Sequence, residues 1–216
     1  RSIVTIPAHL TSVTTVVKSC DFDMDGDHDL FIGGRIASGK FPAPAPSYLL
    51  QSNKGVFTDV TKDYCPMLSA AGMVTDAEWM DVDGDKLKDL VITGEWMPIR
   101  IFKNQTNSFI EITEPSGLAG TSGMWRSITT ADIDNDGDMD FVAGNIGLNN
   151  KYHFNKSQPL NMWYADLDGN GFHDPIMGYY IPTGTGKKEL YPTLGLDEIV
   201  TQVPAVKKTY LLHKKF

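Results

Sequence analysis

The sequence predicts a mainly β fold, a β-propeller-type repeat array that ends in a short C-terminal helical segment. One acidic loop is written four times, each copy is followed by a short apolar run closed by glycine, and the copies recur at intervals of 60, 51 and 34 residues. A drifting period of this size, with strands in each unit, fits propeller blades or a related repeat array. The units fall around 10–61, 73–113, 124–150 and 160–182. Repeats thus fill 1–190, and 191–216 form a helical tail packed on the β body.

The first loop reads Asp21-Phe-Asp23-Met-Asp25-Gly26-Asp27-His-Asp29 and the second Asp81-Val-Asp83-Gly-Asp85-Lys86-Leu87-Lys-Asp89. The third is Asp132-Ile-Asp134-Asn-Asp136-Gly137-Asp138-Met-Asp140, and the fourth Asp166-Leu-Asp168-Gly-Asn170-Gly171-Phe172-His-Asp174. Oxygen ligands stand at positions 1, 3, 5 and 9 of each. Carboxylates this close repel one another unless a cation sits among them. Ca²⁺, a hard cation taking six to eight oxygens, is the natural occupant.

Position 2 is apolar in every copy: Phe22, Val82, Ile133 and Leu167. Before position 1 stand Cys20, Met80, Ala131 and Ala165, and after position 9 come runs such as Leu30-Phe-Ile32 and Leu90-Val-Ile92. Short apolar runs closed by Gly33, Gly94, Gly144 or Gly178 read as buried strands. The unit is strand, metal loop, strand. An EF-hand needs a Glu at position 12 and flanking helices. Here position 12 is Ile32, Ile92, Ala143 or Met177, so position 9 supplies the last ligand.

Position 6 needs a positive φ, which glycine tolerates best. Gly26, Gly137 and Gly171 fit, whereas Lys86 does not. The second loop is therefore expected to be strained or reshaped, with the weakest or an empty site. Asn170 leaves the fourth loop one negative charge short, and Pro175 opens its outgoing strand, where proline is tolerated.

The first two units share a second half. Ser47–Thr61 reads as a hairpin turning at Asn53-Lys54-Gly55, and Ile99–Thr113 repeats it. Pro42-Ala-Pro-Ala-Pro46 is an extended connector, and Gly184-Thr-Gly-Lys-Lys188 a turn that misses the phosphate-loop pattern. In the tail Leu196, Ile199, Val200 and Val203 follow helical spacing, Pro204 interrupts it, and Val206 and Tyr210 resume it.

The net charge of −8 is local. The loops hold 17 of the 27 acids, and the other 10 are outnumbered by 19 Lys and Arg. Four bound Ca²⁺, the most expected, would bring the formal net charge to zero. The acidity points to metal rather than to nucleic acid, which wants a basic patch. No apolar run reaches membrane-span length, and no transmembrane segment is expected. The opening Arg1-Ser-Ile-Val-Thr lacks a signal-peptide pattern, and the chain reads as an excised segment. Cys20 and Cys65 are expected as free buried thiols.

No nucleophile elbow, HExxH or CxxC is present, so no catalytic residue is assigned. His28 and His173 share position 8 with Lys88 and Met139, a permissive slot. Trp79, Trp96, Trp125 and Trp163 read as core rather than as a sugar platform, and Asn145, Asn149 and Asn150 as turn residues rather than a polar pocket.

The four loops resemble those of FG-GAP or VCBS repeat proteins, whose best-known members are the calcium-binding blades of integrin α-subunit propellers. The segments Asp29–Arg35, Tyr48–Leu50, Phe57–Thr61, Gly144–Asn149 with Lys151-Tyr152, Asp197–Val200 and Pro204–Lys208 are similar to bacterial surface proteins with an ASPIC/UnbV-type region, relatives of cartilage acidic protein. The resemblance implies side-chain ligands at positions 1, 3, 5 and 9 and a carbonyl ligand at position 7. Those side chains are Asp21, Asp23, Asp25, Asp29, Asp81, Asp83, Asp85, Asp89, Asp132, Asp134, Asp136, Asp140, Asp166, Asp168, Asn170 and Asp174. The carbonyls are those of Asp27, Leu87, Asp138 and Phe172, and Lys86 departs from the family glycine.

The sequence therefore reads as a calcium-stabilised extracellular binding or interaction module, at the cell surface or in the periplasm, with a protein or glycan as partner. The alternative is a carbohydrate-active enzyme of polysaccharide-lyase type or a glycan-binding propeller.

Overall fold

A computed structural model describes residues 7, 10, 13–147, 150–184, 186–204 and 206–209. Leu148, Asn149, Thr185, Ala205 and Tyr210, each part of a reading above, lie outside the described residues. The chain is mainly β and divides into two compact units, 1–38 with 43–146, and 39–42 with 147–216.

The first unit opens with four antiparallel strands in sequence order: β1 (Val13–Cys20), β2 (Asp29–Ile36), β3 (Tyr48–Asn53) and β4 (Val56–Asp59). A short helix, α1 (Thr61–Tyr64), and a 3-10 turn over Pro66–Ala70 lead to the next repeat. That repeat is built the same way from β5 (Met73–Met80), β6 (Asp89–Met97), β7 (Arg100–Asn104) and β8 (Phe109–Glu111). The far end of β6 also pairs with β9 (Gly123–Ala131), which carries β10 (Asp140–Asn145). The sheets are open rather than closed barrels.

The apolar runs after the first two loops become buried central strands because both faces are covered. The run after the third loop, also expected to be buried, forms the edge strand β10 instead, with Val142 51% exposed. Leu90, Val91, Ile92 and Thr93 on β6 are all fully buried. Lys54 and Gly55, both at positive φ, make the two-residue turn between β3 and β4. Gly34 and Gly94 are required by close backbone approach. A Cβ there would collide with the Pro46 and Met73 carbonyls respectively.

In the first two loops position 2 joins one repeat to the next. Phe22 is buried between Trp79 (centroids 6.0 Å apart), Phe109 (5.8 Å) and Tyr64 (5.8 Å). Val82 packs against a second cluster containing Met80, Val91, Ile101 and Ile128. Ile133, in the third repeat, is 57% exposed. Its apolar character is the same, but no following repeat covers it among the described residues of this unit. Where the three repeats meet, buried Glu95 accepts Arg35 at 2.6 Å and also pairs with Arg126.

The second unit holds an antiparallel sheet of β11 (Asn161–Ala165), β12 (Asp174–Pro182) and β13 (Lys188–Pro192). Two helices follow, α2 (Leu196–Gln202) and α3 (Val206–Thr209). Leu196 and Ile199 are buried, as their helical spacing predicts. Glu198 starts α2 by accepting the Gly195 N–H at 2.8 Å. Among the described residues no helix is long and apolar enough to cross a membrane. Cys20 and Cys65 are free and buried, and burial pushes both thiols up to about 11.

Candidate metal centres

Each acidic loop is the connection of an antiparallel hairpin, closed by the same register pair. These pairs are Cys20 with Asp29, Met80 with Asp89, Ala131 with Asp140, and Ala165 with Asp174. Position 9 is thus the first residue of the outgoing strand.

Inside the loop the carboxylates organise the backbone. The Oδ2 of position 9 accepts the N–H of position 2: Asp29 from Phe22 at 3.1 Å, Asp89 from Val82 at 2.9 Å, Asp140 from Ile133 at 3.0 Å and Asp174 from Leu167 at 2.9 Å. The Oδ2 of position 1 accepts the N–H of position 6 at 2.8–3.2 Å in all four. The Oδ1 of position 5 accepts the N–H of position 7 at 2.8–3.1 Å. Asp27, Leu87, Asp138 and Phe172 therefore share a backbone role despite their different side chains.

In the first two repeats position 9 has a further duty. The Oδ1 of Asp29 accepts Ser52 N–H at 2.8 Å, and that of Asp89 accepts Asn104 N–H at 2.7 Å. Both carboxylates are fully buried and tie the loop to the third strand. Asn104, also fully buried, donates to the Phe22 carbonyl at 2.7 Å and so holds the first loop from the second repeat.

The expected reshaping of the second loop does not occur. Every loop has two left-handed residues, at positions 4 and 6: Met24 and Gly26, Gly84 and Lys86, Asn135 and Gly137, Gly169 and Gly171. Glycine serves either position. Lys86 at φ 72° carries in the second loop the strain that Met24 at φ 60° carries in the first, about 1 kcal/mol each. Only the fourth loop has glycine at both. Lys86 by itself does not set the second site apart.

Three carboxylates per loop bring an oxygen each to within 4.8 Å of one another. They are Asp21, Asp23 and Asp29; Asp81, Asp83 and Asp85; Asp132, Asp134 and Asp136; and Asp166, Asp168 and Asp174. Oxygens that share one Ca²⁺ at 2.3–2.6 Å stand no more than about 5 Å apart. The donor set is all oxygen, and each carboxylate oxygen keeps a lone pair beyond its N–H bond. The residues present therefore fit a hard divalent cation.

The loops differ in what faces them. Gln51 Nε2 donates to Asp23 at 2.5 Å in the first. Lys103 reaches both Asp83 and Asp85 in the second, the latter at 3.1 Å. Those hydrogen bonds push the lysine up to about 12. In the third loop repulsion from Asp136 raises Asp138. In the fourth Asn170 donates to Asp168 at 2.8 Å. Among the described residues, only the second loop forms an ion pair.

Burial, partly offset by its two N–H bonds, pushes Asp29 from 3.8 up to about 6, and burial raises Asp89 in the same direction. A raised folded-state value means that the fold prefers the protonated acid. The penalty is absent below the unfolded value, grows through the window up to about 6, and is complete above it. Glu111, held down chiefly by Arg100, loses its contribution only below its ordinary 4.5. In chelator the melting temperature is therefore expected to rise when pH falls from 7.5 to 5. In millimolar calcium, which needs ionised ligands, it is expected to fall. A lower melting temperature at pH 5 in chelator would sink this assignment.

Other sequence candidates resolve simply. Trp79 stacks on Phe22, and Trp125 donates to the Thr121 carbonyl at 2.9 Å. Trp163, expected in the core, is 52% exposed. It is on a strand, but strand membership alone does not decide which face is covered. Asn150 makes a turn, donating to the Gly147 carbonyl and accepting Tyr152 N–H. The sequence reading passed over Ser52, Asn104, Gln51 and Lys103. Its own hairpin alignment held the signal for the last two, since Leu30 pairs with Leu50 where Leu90 pairs with Phe102. Gln51 and Lys103 are therefore equivalent.

Antiparallel hairpins closed over an aspartate loop, repeated along the chain, define a β-repeat protein with metal-type loops. The chain belongs to the FG-GAP-like repeat family, whose family model matches residues 21–92 and 81–143. No curated protein matches the chain.

Proposed function

We propose that this chain is a calcium-stabilised extracellular binding or interaction module, its repeats acting as propeller-type blades. The observation that supports this best is the fourfold carboxylate cluster with oxygens within 4.8 Å. Positions 1, 3, 5 and 9 supply side chains and position 7 its carbonyl. When bound, the ion would offset part of the loop's negative charge and fix the angle between the two strands it joins. This chain's own residues shape the loop, with position 9 clamping it to the sheet and positions 1 and 5 holding its backbone.

Calcium sites of this kind are expected at about 10⁻⁴ to 10⁻³ M, filled outside cells. The partner is a protein or glycan at the cell surface. Calorimetric titration with CaCl₂ is expected to give three sites, in the first, third and fourth loops. No binding at millimolar calcium, or equal binding of magnesium, would overturn the reading. An acidic-polysaccharide panel, run with calcium, separates capture from cleavage. Unsaturated product there replaces the module by a lyase.

A further inference from the structure

We propose that Lys103 is the resident cation of the second loop, so that this repeat keeps its shape without calcium while the others depend on it. The proposal rests on the calcium reading of the other loops and concerns a side chain that reading does not use.

The geometry is specific to one repeat. Lys103 lies on β7, one residue before Asn104, whose backbone N–H is bound by Asp89. This register aims position 103 at the loop, as Gln51 on β3 is aimed at Asp23. The two side chains meet the same loop position, since Asp23 and Asp83 both stand at position 3. Gln51 brings no charge. Lys103 brings an ammonium that pairs with Asp83 and, at 3.1 Å, with Asp85. Those are two of the three carboxylates whose oxygens gather within 4.8 Å of one another in this loop.

An ammonium offers three N–H donors and fits between carboxylates as a single charge. A calcium ion placed on the same oxygens would sit beside that ammonium, and like charges at this range repel. The ion enters only if Lys103 leaves, so calcium is excluded by an occupant the chain carries itself. The loop backbone needs no reshaping for this. Its left-handed residues and the Oδ bonds of positions 1, 5 and 9 match those of the other three loops.

The test compares the wild-type chain with Lys103→Gln, which installs the side chain of the first repeat. Calcium stoichiometry is expected to rise from three to four, with the new site at least tenfold tighter than anything the wild type offers there. Hydrogen exchange in EDTA supplies the second measurement and needs no variant. The wild-type amides of Lys86 and Leu87 are expected to stay protected, while those of Gly26, Asp27, Gly137 and Asp138 exchange at least tenfold faster than in calcium. Four equal sites in the wild type, an unchanged count in Lys103→Gln, or a second loop that opens in EDTA like the first overturns the proposal. A wild type that binds no calcium condemns the reading of the other loops instead. The lysine is then judged by exchange at Lys86 and Leu87 in Lys103→Gln, which must quicken at least tenfold.

Discussion

Adding excess EDTA to the protein in calcium is expected to lower its melting temperature by roughly 10–30 °C. Each site that binds the native state adds RT ln(1 + [L]/Kd). At about 10 mM calcium and a Kd of about 10⁻⁴ to 10⁻³ M, that is roughly 1.4–2.7 kcal/mol per site. Three sites give about 4–8 kcal/mol, and a chain of this length moves about 2–4 °C per kcal/mol. The third loop should respond most, because it holds five acids, most of them exposed, with no ammonium paired to them. Scanning calorimetry with and without chelator checks this, and superimposable curves would refute it.

Replacing Asp89 by alanine is expected to destabilise the chain by about 4 kcal/mol, with or without calcium. Its carboxylate is fully buried and accepts two backbone N–H groups, from Val82 and Asn104. Removal leaves both donors without acceptors, at about 1–3 kcal/mol each, and separates the loop from β7. The ordinary bonding of Asn104 then fails as well, since its position also supports the Phe22 carbonyl. Asp140 is the same residue type at the same loop position but is only half-buried, and in EDTA, where its own calcium site contributes nothing, its alanine variant is expected to lose about half as much. Urea melts of the two variants side by side decide the matter. Equal losses would show that burial of position 9 is irrelevant.

The loops were legible because their information is local. Ligand spacing, the glycine at position 6 and the apolar runs all lie within a dozen residues, and the strands fell where those runs predicted. The left-handed residue at position 4 was hidden, since Met24 and Asn135 occupy it as often as glycine does. The clamp from position 9 to Ser52 and Asn104 spans 23 and 15 residues and depends on strand register, which residue types alone do not fix. Phe22 and Ile133 look alike in sequence, yet one is buried and the other exposed, because burial belongs to the neighbour rather than to the residue. Nothing in the residue type of Lys103 marks it out, and only strand register sets it against Asp83.

The bond from Asn104 to the Phe22 carbonyl bears on how fast the chain answers a change in its surroundings. The first loop is suspended from a repeat that holds itself together. After a pulse of depletion, the chain's own part in recovery is then the closing of a tethered segment of about ten residues, about 10–100 ns once the ion is back, rather than the slow rebuilding of a sheet.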